Sequence, residues 1–111
     1  MVKKMNKKEN INYEIKECIS LDDITNKKLK YKANFLKEFI MEHYFITSIR
    51  VSHNLFNNKI VFFITFGFRR IGITMDALNV ERQALDELSK EISQLIDEQL
   101  LSNYKKVISN E

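Results

Sequence analysis

Residues 45 to 76 read FITSIRVSHNLFNNKIVFFITFGFRRIGITMD. Apolar and polar residues alternate on both sides of Asn57-Asn58, which is the pattern of strands with one buried face. Asparagine tolerates positive φ, so Asn57-Asn58 reads as a two-residue hairpin turn. That turn places Leu55 opposite Ile60, His53 opposite Phe62, Val51 opposite Ile64, Ile49 opposite Phe66 and Thr47 opposite Phe68. Nearly every apolar residue then lies on one face, and a slip of one residue would scatter them.

A strand from Ile60 to Met75 would far exceed the usual length of about 5–6 residues. A second turn is therefore expected at Arg69-Arg70, between Gly67 and Gly72, the only two glycines of the chain. It pairs Phe68 with Ile71, Phe66 with Ile73 and Ile64 with Met75, on the same inner face. Arg-Arg is poor chemistry for a tight primed turn, so a looser turn or a bulge at either glycine is expected with it.

Helical patterns flank this meander. After SLDDITNKK, with Ser20, Asp22 or Asp23 as caps, Leu29, Ala33, Leu36, Ile40 and Tyr44 recur at helical spacing, widened by Phe35 and Phe39. This predicts a helix over about 23–43 with His43 on its buried side. The stretch NVERQALDELSKEISQLIDEQLLSNYKKVI predicts a second helix, capped by Asp76 or Asn79, with Ala84, Leu85, Leu88, Ile92, Leu95 and Ile96 as its core stripe. Leu100, Tyr104, Val107 and Ile108 fall on a face rotated by about a third of a turn at ~100° per residue. Either that helix breaks near Ser102-Asn103, or its end offers an oligomer or partner contact.

Upstream, INYEIKECI alternates and predicts a strand over 11–19 that can join the sheet, preceded by a flexible basic arm over 1–10. The expected fold is α+β in the order β-α-β-β-β-α. It has an antiparallel three-stranded meander, which a fourth N-terminal strand can join, and two helices packed on one face.

The chain has 111 residues, 44% apolar and 30% charged, which suits one folded domain with one core. No apolar run approaches the ~18 residues that span a bilayer, and the basic N-terminus has no apolar segment of a secretory signal after it. With the single Cys18, these features predict a cytoplasmic protein of a bacterial host and no membrane partner. The 14 lysines against 4 arginines, with abundant Asn and Ile, point to an AT-rich source such as a low-GC bacterium, a phage or a mobile element. The net charge of +3 is polarised, with ten lysines against five acids in residues 1–37 and four basic residues against eight acids in 76–111. Such polarity predicts two different surfaces.

Candidate contacts follow from position. The outer sheet face should carry Arg50, Phe63 and Thr65, with Arg69 and Arg70 near one end. An aromatic among arginines and hydroxyls can stack and clamp single-stranded nucleic acid or anchor a protein. Lys27, Lys30 and Lys37 are candidate phosphate contacts on the first helix. The acids at 86–87, 91 and 97–98 read as a solvated helix surface, with imitation of a phosphate backbone as the sharper alternative. His43, His53 and Cys18 form no local catalytic motif. There is no CxxC, HExxH or glycine-rich phosphate loop, so no catalytic, cofactor or metal site is expected.

The order α-β-β-β-α over roughly 23–108 resembles that of double-stranded-RNA-binding domains. There a basic cluster opens the last helix. Here that helix opens NVERQALDE, with Glu81, Asp86 and Glu87, and the Asn57-Asn58 hairpin lacks that family's proline- and histidine-bearing loop. The sequence therefore predicts a non-enzymatic binding protein, a phage or mobile-element accessory factor of anti-defence type that inhibits a host protein or nucleoprotein machine. Direct nucleic-acid binding and a self-associating assembly subunit, such as a homodimer, are the alternatives.

Overall fold

The computed structural model describes the backbone of residues 18–109 and the side chains of residues 18–100. The expectations for the 1–10 arm and for residues 11–17 of the first strand lie outside the described residues. A four-stranded antiparallel sheet runs in the order β1 (Cys18–Ser20), β2 (Ser48–Asn54), β3 (Lys59–Phe66) and β4 (Arg69–Asp76). A 3₁₀ turn, Leu21–Asp23, precedes α1 (Lys27–His43), and α2 (Ala77–Arg82) and α3 (Leu85–Ser109) follow β4. The N-terminal strand thus joins the sheet at the edge, pairing Ile19 with His53.

Inner-face residues of the meander meet the helices in one core. Val51, Phe62 and Ile73 form a row across three strands, flanked by Ile64 with Ile71 and by Ile60 with Met75. These pack with Leu29, Ala33, Leu36 and Ile40 of α1, Val80 of α2, and Leu88, Ile92 and Ile96 of α3. His53 also lies on this face, only 7% exposed. Its Nε2 is 2.8 Å from Oδ1 of Asn58, so the tautomer protonated at Nε2 satisfies the buried ring. No helix among the described residues is long and apolar enough to cross a membrane.

The strand faces match the alternation, but both registers differ from the expected ones. His53 pairs with Ile60 and Val51 with Phe62, a shift of two residues, so the first loop spans residues 55–58. Asn54 Oδ1 accepts from the backbone N–H of Phe56 at 3.0 Å, and Asn58 takes φ 55°. This Asx turn makes a four-residue loop and leaves Leu55 exposed rather than in the core. In the second hairpin Phe66 pairs with Arg69 and Ile64 with Ile71, a shift of four. Its turn is Gly67-Phe68, not Arg69-Arg70. Gly67 has φ 61°, the positive value that a type II′ hairpin places on its first central residue. Phe68 is fully exposed at the tip, where the sequence pattern placed it in the core.

The helices differ too. The cap of α1 is Asn26, whose Oδ1 accepts from the Leu29 N–H at 3.1 Å, not Ser20, Asp22 or Asp23. The chain is held in the 3₁₀ turn until Leu21 and Ile24 are buried. His43 is exposed and stacks on Phe39, because Tyr44 leaves the helix and takes the inward position. The single final helix is two, broken at Gln83-Ala84, with Asp76 capping α2 through the Leu78 N–H at 3.2 Å. The free carbonyls at this break accept from one ammonium. Lys32 Nζ donates to Glu81 O at 2.7 Å and to Gln83 O. Asn26 Nδ2 adds a bond to Glu81 Oε1 at 2.7 Å. No break occurs near Ser102-Asn103, since α3 continues to Ser109.

The C-terminal end of α1 is tied to α3 through Tyr44, whose hydroxyl donates to Asp97 Oδ1 at 3.1 Å and lies 3.5 Å from Ser93 O. Burial pushes the Tyr44 phenol above its ordinary value of 10.0, the Asp97 carboxylate adds to the rise, and the Ser93 contact opposes it.

Three outcomes are expected. Phe68→Ser should change unfolding stability by under ~0.5 kcal/mol, as a surface change does, whereas Gly67→Ala should cost about 1–2 kcal/mol for an L-residue at positive φ. Denaturant melts of both variants check the register, and a large loss for Phe68→Ser would restore the turn at Arg69-Arg70. Lys32→Met keeps the aliphatic stem and removes the donor, so it should destabilise by about 1–3 kcal/mol, read by the same melts. The phenol is protonated more readily in the folded than in the unfolded state, so its stabilising contribution is complete below pH 10.0 and is lost as pH rises through the raised value. Tyr44→Phe should therefore show a shallower loss of stability than the wild type on the alkaline side in thermal melts against pH.

Candidate functional site

Outward-facing residues alternate with the core along each strand. On β2 they are Ser48, Arg50, Ser52 and Asn54, on β3 Lys59, Val61, Phe63 and Thr65, and on β4 Arg70, Gly72, Thr74 and Asp76. The register sets two rows across the sheet. One runs Arg50, Phe63, Gly72, and the next runs Ser48, Thr65, Arg70.

In the first row the Arg50 guanidinium lies over the Phe63 ring, 5.1 Å from its centroid. The ring's quadrupole attracts the cation and holds both side chains in place. On the other side of Phe63 stands Gly72, where an added Cβ would meet nothing within 4 Å. Its backbone φ is not positive, so glycine serves there by leaving space rather than by permitting a turn. The result is a notch of about 600 Å³ between Arg50 and Arg70, with Phe63, Thr65 and Gly72 in its wall. Phe63 stays 45% exposed in it. Three cations, Arg50, Lys59 and Arg70, share this face with one acid, Asp76, whose carboxylate is already the cap of α2.

Of the sequence-predicted contacts, Arg50, Phe63, Thr65 and Arg70 come together here. Arg69 does not. As neighbours on one strand the two arginines point to opposite faces, and Arg69 falls on the helix side beside Phe66. Its Nη2 is buried there without a hydrogen-bond partner among the described residues. The α1 lysines are also separated from the notch, because α1 packs on the inner face. Lys27 is exposed, Lys37 is half-buried, and Lys30 Nζ donates to Asp22 O at 3.0 Å. A ligand in the notch therefore cannot touch these lysines without wrapping around the protein.

Leu100 is half-buried and packs against the core. The side chains of Tyr104, Val107 and Ile108 lie outside the described residues. Gly72 and Lys32 carry roles that sequence reasoning did not assign. The signal for Gly72 was a glycine inside a strand pattern, which marks close approach or open space. Among the described residues no group of three His, Cys, Asp or Glu side chains could hold a metal ion. No protein family, curated protein or solved structure matches the chain.

Proposed function

We propose that this chain is a binding protein, not an enzyme, and that its working surface is the outer sheet face. Its partner is a host protein or nucleoprotein machine that it inhibits, in the manner of a phage or mobile-element accessory factor. The observation that carries the reading is the exposed Phe63 ring in an open notch between Arg50 and Gly72. Aromatic and arginine anchors with a polar rim are what concentrate binding energy at protein interfaces. Hydroxyls of Ser48 and Thr65 supply such a rim. The accessory-factor part rests on size and on a composition rich in lysine, asparagine and isoleucine.

A second reading is supported by charge. Arg50 and Arg70 around one exposed aromatic, with Lys59 farther along β3, also suit single-stranded nucleic acid, with the base on Phe63 and phosphates on the guanidinium groups. This reading uses the outer face alone and leaves out the α1 lysines.

One variant pair tests both. Gly72→Val should crowd the notch beside Phe63 and keep or raise the melting temperature, because the space is open and valine favours strands. Arg70→Glu should reverse one charge without crowding the notch. Tagged wild type should enrich a defined host complex from nuclease-treated extract, and Gly72→Val should lose it. Equal recovery by Gly72→Val would overturn the outer-face reading. Chromatography with a mixed-sequence oligonucleotide separates the partner classes. A complex that forms at low salt, dissolves at high salt and disappears in Arg70→Glu assigns the face to nucleic acid.

A further inference from the structure

The helix layer carries a second surface, on the side of the protein away from the notch. Tyr31, Phe35 and Phe39 recur at four-residue spacing along α1, and His43 continues the row by stacking on Phe39 at 4.1 Å. Phe35 and Phe39 touch the core by one edge and leave the other open. They form the shared wall of two hollows. The larger, about 950 Å³, lies between α1 and α3 and includes Leu85, Ser89 and Ser93. The smaller, about 330 Å³, lies on the other side of the aromatic row.

Acids stand on both banks of this apolar ridge. Glu38 and Glu42 line the smaller hollow, and Asp86, Asp97 and Glu98 line the larger. Lys90 is the one cation among the lining residues. We propose that this ridge and groove dock a cationic amphipathic helix of a partner protein.

Three features select that occupant. The first is charge, since five carboxylates against one ammonium attract lysine and arginine and repel phosphate. The second is backbone accounting. The walls are two α-helices, whose main-chain groups are spent within the helices, so the surface offers no edge to an extended peptide. A segment lying there must satisfy its own backbone, and a helix does so. The third is length. From Tyr31 to His43 the row runs roughly 18 Å at ~1.5 Å per residue, which fits a helix of about three turns. Its apolar stripe would lie on Phe35 and Phe39, and its flanking lysines or arginines would reach the two acidic banks. This surface is independent of the outer-face notch, and both can be occupied at once.

The probe is a labelled synthetic peptide of about fourteen residues, with leucine at helical i, i+3, i+4 and i+7 spacing and lysine elsewhere. Fluorescence anisotropy is measured with the full chain at low and high salt. Saturable binding is expected, weakened at least tenfold by Glu38→Lys with Glu98→Lys, two exposed positions on opposite banks. Arg70→Glu on the outer face should leave it unchanged. A peptide of the same composition with its leucines scattered should bind at least tenfold more weakly. Amide chemical-shift changes should centre on Phe35, Phe39 and Ser93. Absence of saturable binding overturns the proposal. So does equal binding by the doubly reversed variant or by the scattered peptide, or a shift map centred on another surface.

Discussion

Side-chain alternation along β2, β3 and β4 is the constraint on which the remaining structure depends. Every second residue of each strand must leave water together, because Val51, Phe62 and Ile73 sit in one row and cannot be buried singly. The helices supply the other half of that burial through Leu36, Ile40, Leu88 and Ile92. Removing such side chains from water is the dominant favourable term in folding. Once the inner face is committed, Arg50, Phe63, Thr65 and Arg70 have no choice but the outer one. The candidate site is thus a by-product of the core's periodicity, sharpened by the one glycine that leaves a gap beside Phe63.

Polar contacts then decide how the helices sit over that core. The break between α2 and α3 contains neither glycine nor proline. It is stabilised from outside, where Lys32 serves two carbonyls of the break and Asn26 reaches Glu81. A loop amide at Asn26 caps α1 and holds α2 with the same side chain. At the other end Tyr44 links α1 to α3, and Gln99 Nε2 donates to Gly72 O at 3.0 Å, linking α3 to β4. Because Lys32 and Asn26 act at the break and at the start of α1, backbone groups that a helix end would orphan keep partners.

The two candidate surfaces differ in the sign of their local charge. The outer sheet face gathers three of the cations that follow residue 37, while acids line the hollows on both sides of the α1 aromatic ridge. Local surfaces of opposite charge favour partners of different chemistry. The aromatic residue differs in use as well. Phe63 is held by a cation across the sheet, whereas Phe35 and Phe39 are held by the core beneath them.

By itself, the sequence determined which residues face inward on β2 to β4, because a period of two is written in the order of apolar and polar residues. Ile49, Val51, His53, Ile60, Phe62, Ile64, Ile71, Ile73 and Met75 all lie on the predicted face. It also determined the existence of α1, the grouping of Arg50, Phe63, Thr65 and Arg70, and the Leu88, Ile92, Leu95 and Ile96 part of the final stripe, whereas Ala84 is exposed in the break and Leu85 lines the groove instead of the core. It did not determine register. Slips of two and four residues keep every side chain on its own face, so hydrophobic alternation cannot tell them apart. The choice falls to the turns, where the Asn54 Asx turn and positive φ at Asn58 and Gly67 outweigh the burial of Leu55 and Phe68. The break at Gln83-Ala84 and the inward turn of Arg69 were decided by tertiary structure alone, since they depend on groups brought near by the fold and not on neighbours in the chain.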